Sequence, residues 1–376
     1  MAGNPTLLGS NNGKGGANGF LEFEKPLLPL HQEMERLTRE QGEDARIRRA
    51  ELRKCQARLQ TATKRLYAKL TAWETVLVAR HPHRPLVTDY IRMIVDDFCE
   101  LHGDRAYGDD RAIVTGFGRI ARQKVMVVGH NKGKDTRERI ACNFGCAHPE
   151  GYRKALQKMR LAAKYGLPVV CFIDTQGAYP GVGSEERGVA QAIAVNLMEM
   201  TRLPTPVCCV VIGEGGSGGA LGIGVGDRVA MLEHAFYSVI SPEGCAAILF
   251  KTAEQRQLAA ESLKLTAKEL KKLRIVDDVI AEPVGGAHRD PAATAAALQT
   301  YLGDTLRELR RCRIDTLLKR RYERIRNTGS FFQSVEAVAA RKAKARRTAR
   351  RKPRSTASRK RAETAETPAE TAGHTA

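Results

Sequence analysis

No Cys-x-x-Cys pair occurs anywhere in the 376 residues, although the chain holds nine cysteines. Cys142 and Cys146 are separated by three residues, and Cys208 and Cys209 adjoin inside an apolar run. Neither pair has a matching second half, which argues against a zinc site, so no metal is expected; buried structural thiols in a reducing cytoplasm are the expectation instead. A secretory signal is missing too. The first nineteen residues are rich in Gly and Asn and have no apolar core, so neither a signal nor a transit peptide is expected in them. No membrane-length apolar run is uninterrupted: residues 205–226 come nearest, but Glu214 and a cluster of glycines sit in their middle. A soluble, cytoplasmic protein without membrane insertion is expected. Aromatic residues make up only 5% of the chain, and none is interleaved with its basic end, which argues against sequence-specific reading of nucleic acid.

What is present begins with charge. The formal net charge is +20, much of it in residues 341–361, which carry about a dozen cations and almost no large apolar side chains. A segment of that composition cannot bury a core and is expected to be disordered. It could attract nucleic acid or an acidic partner through counterion release, but a solvated tail is the favoured reading. The 42% of hydrophobic residues suffice for one large core or two smaller ones.

Residues 30–80 read as helical. Leu52, Cys55, Leu59, Ala62, Leu66, Trp73 and Leu77 recur at spacings of three and four or their sums, either as a coiled-coil-like, partner-packing stripe or as a face packed on the chain's own core. His81-Pro82-His83-Arg84-Pro85 breaks the pattern. A second helix is expected over Asp89 to Leu101, then a hairpin of strands Ala112–Ile120 and Val125–His130. A helix from Pro149 to Tyr165 leads to a strand at Leu167–Ile173 and a loop running to Gly183. Ser184 is expected to cap the next helix, with Glu185 and Glu186 in its first turn.

The most informative stretch is 207–224. A β-branched apolar run empties into Gly213–Gly219, in which five of seven residues are glycine, and then into small residues that could begin a helix. Glycine lets bare backbone approach a ligand, and N–H groups at a helix start are unpaired and partly positive. Such a surface suits chemistry that places negative charge on an oxygen. A similar strand and loop lie about forty residues upstream. Neither loop contains a histidine or a paired carboxylate, so chemistry there rests on backbone donors and positioning. A short strand at Tyr237–Ile240 follows. The alternation of strands and helices is an α/β arrangement with parallel strands.

Three motifs could be misread. Gly213-x-Gly215-x-x-Gly218 fits the dinucleotide fingerprint, with Glu233 twenty residues on, yet it lies past the middle of the chain rather than in a first βα turn. Gly215-x-Ser217-x-Gly219 fits a hydrolase nucleophile elbow, for which Asp277 and His288 could nominally complete a triad. Asn131-Lys132-Gly133-Lys134 lacks the spaced glycine of a Walker loop; its lysines would meet a phosphate-bearing ligand or solvent.

Gly103-Asp104-Arg105-Ala106-Tyr107, Pro149-Glu150-Gly151-Tyr152-Arg153-Lys154-Ala155, Gly177-Ala178-Tyr179-Pro180-Gly181, Gly213-Glu214-Gly215-Gly216-Ser217-Gly218-Gly219-Ala220-Leu221 and Tyr237-Ser238-Val239-Ile240-Ser241-Pro242-Glu243-Gly244-Cys245 occur in that order. With them the chain resembles the carboxyltransferase alpha subunit of bacterial and plastid-type acetyl-CoA carboxylase, from about Phe20 to Gly329. The resemblance implies a crotonase-like fold of repeated ββα units in a spiral, preceded by an N-terminal helical segment. The expected divisions are a disordered arm over 1–29, a helical, partner-packing segment over 30–85, the carboxyltransferase domain over 86–329 (its family unit counted from about 50 to 305) and a disordered basic tail over 330–376. It implies transfer of a carboxyl group from carboxybiotin, on a biotin carboxyl carrier protein, to acetyl-CoA, giving malonyl-CoA, the first committed step of fatty acid biosynthesis. ATP is used by the separate biotin carboxylase. A zinc-ribbon beta subunit is the implied partner in an α2β2 heterotetramer. Gly218 and Gly219 would hold the biotin-side oxyanion, where one donor is typically worth ~2.7–4 kcal/mol of transition-state stabilisation. Gly177, Ala178, Gly181, Gly215, Gly216 and Ser217 would shape the same cleft. The sequence departs from the family pattern at Gln176 and Ala147, where proline is usual and would pre-set the backbone, and in the basic tail. A biotin-dependent acyl-CoA decarboxylase subunit is the alternative within the superfamily, and a Ser217 hydrolase the alternative outside it.

Overall fold

The computed structural model describes residues 19–39 and 45–329. The tail expected over 330–376 and most of the arm expected over 1–29 lie outside the described residues. Where the arm is described it is structured: Glu22–Leu27 form a 3-10 turn in which Leu27 and Glu24 are buried. Glu24 is held there by the Tyr67 hydroxyl, the Leu21 N–H and Arg289.

Four helices follow, α1 (Leu28–Arg39), α2 (Ala45–Tyr67), α3 (Ala72–Ala79) and α4 (Val87–Ile94). The stripe expected to be continuous is broken between α2 and α3, where Thr71 and Glu74 form a reciprocal capping box. The inward residues of α2 turn toward α1, with the Cys55 thiol 3.5 Å from the Leu30 carbonyl. The proline-containing break of 81–85 falls between α3 and α4, as the sequence indicates.

The helix expected over Asp89 to Leu101 stops at Ile94. Val95 is already extended, and Asp96–Glu100 form strand β1, which pairs antiparallel with β2 (Ile113–Ile120). β2 and β3 (Gln123–His130) make the expected hairpin in continuous register from Ile113–His130 to Ile120–Gln123. Next come α5 (Thr136–Ala141), α6 (Pro149–Lys164), β4 (Val169–Thr175), α7 (Val182–Glu186), α8 (Val189–Arg202), β5 (Val207–Gly216) and α9 (Ser217–Leu221). The chain continues through β6 (Arg228–Leu232), β7 (Phe236–Ser238), α10 (Pro242–Leu249), α11 (Arg256–Leu263), α12 (Ala267–Lys272), β8 (Asp278–Ile280), α13 (Pro291–Arg310) and α14 (Ile314–Arg326). Two strands precede a helix twice, the β2–β3 hairpin before α5 and α6, and β6 and β7, each paired to β5, before α10, in keeping with the expected α/β, crotonase-like class.

One sheet organises the domain. Its order is β1-β2-β3-β4-β5-β6-β8, with β7 also paired to β5, antiparallel up to β3 and parallel from β3 onward. All residues of β4 and β5 are buried, which is why their leading parts, residues 169–173 and 207–212, read as apolar runs. β5 forks: Cys208–Val211 pair with β6, whereas Glu214–Gly216 pair with β7. The last helix is fixed by Arg321, which is fully buried. Its guanidinium grips Asp227 at 2.6 and 2.9 Å and donates to the carbonyls of Met200, Leu203 and Thr205. Among the described residues, no helix is long and apolar enough to cross a membrane.

Candidate active site

Parallel β4 and β5 bring the two glycine-rich turns to one edge of the sheet, beyond the carboxyl ends of its strands, where α/β proteins bind ligands. Thr175 of β4 is level with Gly215 of β5. Its hydroxyl lies 2.7 Å from the Gly145 carbonyl and 2.8 Å from that of Gly177, and it accepts the Gly177 N–H. The Tyr179 N–H donates to the Ala147 carbonyl, so a backbone bond fixes the loop at the position where a proline is usual. Ser184 caps nothing. It is buried within α7, behind Gly181 at the N-cap, with its hydroxyl 2.7 Å from His148 Nδ1.

The second turn lies directly on the first. A Cβ on Gly216 would come within 2.1 Å of the Gln176 carbonyl oxygen, and one on Gly219 within 2.3 Å of the Gly177 carbonyl carbon and 2.5 Å of the Ala178 nitrogen. Only glycine permits this backbone-on-backbone contact. Gly218 differs, since a Cβ there would meet only Ile193 at 3.7 Å. Gly215 is buried against the Tyr237 ring, Gly181 lies against the Tyr179 ring, and Gly177 and Ala178 are half-buried. Ser217 is exposed and has a φ of +50°. The structure therefore brings all eight sequence-derived residues to one place. The N–H groups of Gly218 and Gly219 fall in the first turn of α9, where no carbonyl of the helix itself can receive them.

Under these turns lies an ion cluster that the sequence did not reveal. Glu214 is buried and pairs with Arg80 at 2.6 Å and Lys132 at 3.4 Å. Lys132 reaches Asp174 at 2.6 Å, and Arg80 reaches Glu243 at 2.6 Å. Asp174 also accepts the Glu214 N–H. Lys132 is thus committed to two buried carboxylates, which corrects the reading of it as a solvent- or phosphate-facing lysine. Burial opposes ionisation of Glu214, but Lys132 and Arg80 outweigh it and hold its carboxyl below the usual range. The same pairing raises Lys132 despite its burial. Two cations shared among three carboxylates balance most, though not all, of the negative charge beneath the glycine turns.

The remaining motifs interlock beside the first loop. Asp104 accepts the N–H groups of Ala106, Tyr107 and Gly108 and pairs with Arg153 at 2.9 Å. Lys154 reaches Asp109 at 2.6 Å, while Glu150 holds Arg187, whose guanidinium lies over the Tyr107 ring. A hydrolase triad finds no support. Asp277 is bound to Arg324 and the Val229 N–H, and His288 is stacked on His81 with centroids 3.8 Å apart. Glu233, the nominal ribose acid of the dinucleotide fingerprint, accepts the Glu282 N–H. No group of His, Cys, Asp and Glu suited to holding a metal ion occurs among the described residues.

Comparison with known proteins identifies the family. The family model described as "Acetyl co-enzyme A carboxylase carboxyltransferase-like" matches residues 20–329. The chain is 53% identical over 313 residues to an acetyl-coenzyme A carboxylase carboxyl transferase subunit alpha of Rhodopirellula baltica, covering 83% of this chain and 98% of that relative. It is 54% identical over 316 residues to the same subunit of Chromobacterium violaceum, covering 84% and 98%. Among solved structures, a transcarboxylase 12S core is similar at a TM-score of 0.47 and 24% identity, over 58% of this chain and 42% of that one. With the family model matching residues 20–329 and both relatives more than half identical over nearly the whole of their own length, the protein belongs to the acetyl-CoA carboxylase carboxyltransferase alpha-subunit family.

Proposed function

We infer that this chain supplies the biotin side of the carboxyl transfer, with the first-turn N–H groups of Gly218 and Gly219 as the oxyanion donors. Carboxybiotin, carried on a separate protein, supplies the activated carboxyl group. Release of that carboxyl leaves negative charge on the ureido oxygen, and fixed N–H donors stabilise such charge without reorganising at the moment of reaction. The observation that carries the reading is the contact of Gly216 and Gly219 with the backbone of Gln176–Ala178, which holds the donor turn rigid. Gly177, Ala178 and Gly181 shape the opposite wall. Ser217 is exposed, Gly218 half-buried and Gly219 buried on that turn, and the carboxylates just before the two turns, Asp174 and Glu214, are paired with Lys132 and Arg80, which supports an anionic oxygen there.

The acetyl-CoA side, where a proton leaves the methyl carbon and charge builds on the thioester oxygen, is assigned to a zinc-ribbon beta subunit in an α2β2 assembly with biotin carboxylase and its carrier as further components. Exposed apolar side chains on the elements around the turns, Val182, Leu221 and Val239, support a covering partner. All nine cysteines are free, which supports a reducing cytoplasmic setting.

The test is malonyl-CoA-dependent carboxylation of biotin, the reverse reaction, by the purified chain alone and after mixing with a carboxyltransferase beta subunit. Activity is expected only in the mixture. A properly assembled complex with no activity would overturn the assignment and favour the acyl-CoA decarboxylase reading.

A further inference from the structure

Asn143, Phe144 and Gly145 all have left-handed backbone, with φ of +47°, +54° and +83°. Glycine adopts it freely, but a bulky residue such as Phe144 is an outlier there, and a left-handed run is disfavoured wherever a Cβ is present. Such strain persists only where the surroundings over-determine it, and it collects at ligand-binding sites. Here the turn is pinned from several sides. The Gly145 N–H donates to the Cys142 carbonyl at 2.8 Å, and the Cys146 N–H to the Asn143 carbonyl at 2.9 Å. The Asn131 amide lies 3.3 Å from the buried Cys142 thiol. Gly145 has no room for a side chain, since a Cβ would come within 2.8 Å of Lys132 Cγ and 3.1 Å of the Asp174 carbonyl oxygen.

The outcome is an aromatic ring held out of the core. Phe144 is 48% exposed beside buried Gly145, and Ile140, near the end of α5, is 63% exposed. Phe144 joins none of the apolar clusters formed by the described residues. Backbone strain and an apolar ring in water are both unfavourable, and a ligand that covers the ring offsets them.

The position of the turn identifies that ligand. The Gly145 carbonyl accepts the Thr175 hydroxyl at 2.7 Å, and the Ala147 carbonyl accepts the Tyr179 N–H at 3.0 Å, so residues 145–147 run beside the first glycine loop. β4 lies between β3 and β5 in the sheet. The Phe144 turn packs on Lys132, just after β3, whereas the second glycine turn ends β5 and presses on Gln176–Ala178. The first loop thus has the donor turn on one side and the Phe144 turn on the other, about 10 Å apart at strand-like spacings. A biotin group, with its bicyclic ring and valeryl chain, is long enough to cross that gap. Its ureido end is polar, and its thioether ring and chain are apolar. The glycine, alanine and serine of the two turns offer the apolar part little to pack on, and the Tyr179 ring already lies against Gly181 and His148.

We propose that Phe144 is a substrate-binding residue whose ring covers the apolar part of the biotin group while the ureido oxygen meets the Gly218 and Gly219 donors. This rests on the reading of those glycines as the biotin-side donors.

The experiment uses the full chain assembled with a beta subunit, and free biotin as the acceptor of the carboxyl group of malonyl-CoA. Phe144→Ala and Phe144→Gly remove the ring, and Phe144→Leu keeps an apolar side chain. Glycine suits the left-handed backbone, so the Gly variant keeps its fold even where the Ala variant does not. We expect kcat/KM for biotin to fall about tenfold in both, as loss of a partly buried aromatic contact does, with KM for malonyl-CoA within about twofold. Phe144→Leu is expected to recover most of the loss. The unfolding midpoint of Phe144→Gly is expected at or above that of the parent, whereas a ring that served only the fold would lower it. Unchanged kcat/KM for biotin in the Ala and Gly variants overturns the proposal. So does an equal rise in KM for malonyl-CoA, or loss of assembly on gel filtration, which puts the ring at the beta-subunit interface. A parent complex that carboxylates no biotin refutes the donor reading itself; an active parent with unaffected variants refutes only the role of Phe144.

Discussion

A methyl group added at Gly219 points into the backbone of Gly177 and Ala178, not toward open space, whereas one at Gly218 meets only Ile193 at ordinary contact distance. The two neighbouring glycines therefore answer differently to the same substitution. Gly219→Ala is expected to displace the first loop, cost about 1–3 kcal/mol of stability as overpacking does, and lower carboxyl transfer at least about a hundredfold. Gly218→Ala is expected to leave the unfolding midpoint within a degree or two and to keep most of the activity, since its N–H and the space in front of it are unchanged. Thermal unfolding and the biotin carboxylation assay on both variants check this; equal behaviour of the pair would refute it. The eight glycine-turn residues were legible because glycine density after an apolar run is a local signal. Arg321 was not, since an isolated arginine in a sequence carries no mark of burial, and only the fold shows it satisfied by Asp227 and three carbonyls.

At the scale of elements, what was readable is what was long, apolar and bounded by glycine: the β2–β3 hairpin, α6, β4 and β5. β1 was mistaken for the end of a helix because Asp96–Glu100 is an edge strand with an irregular register, exposed except at Phe98. β6 and β8 are only five and three residues long and follow turns without a hydrophobic period to betray them. The ion cluster was unreadable for a different reason. Arg80, Lys132, Asp174, Glu214 and Glu243 come from five separate regions, and the Arg80–Glu243 pair spans 163 positions. Lys132→Met is expected to leave Asp174 and Glu214 facing each other without their shared cation. Breaking a buried pair costs roughly 3–5 kcal/mol, and because Asp174 and Glu214 lie just before the two turns, transfer activity is expected to fall with it. Urea unfolding of Lys132→Met beside the parent chain is the check; an unchanged midpoint would show that the lysine is dispensable.

Over the whole molecule, several histidines are kept neutral. His81, His130, His234 and His288 are all held below their ordinary value, chiefly by burial, with His130 near 3 and His288 near 2. The unfolded chain takes up protons at these positions near pH 6.5, while the folded chain does not. Unfolding thus binds protons, and stability falls as pH drops below about 6.5. A second decline is expected below about pH 4, when Asp104, held near 2 against its burial by Arg153 and three N–H groups, and Glu214 lose the advantage of being charged in the fold. Unfolding midpoints measured from pH 7.5 to 3.5 should show both steps; a flat profile between pH 7 and 5 would contradict the first. The pairing of Arg84 with Glu282 adds a consequence in time. The two residues are 198 positions apart and both are buried. At a synthesis rate of about 5–20 residues per second, Arg84 waits roughly 10–40 s for its counter-ion to be made. Through that interval α3 and α4 have no settled place, so the amino-terminal third of the nascent chain must be kept from premature association until its carboxyl-terminal half has emerged.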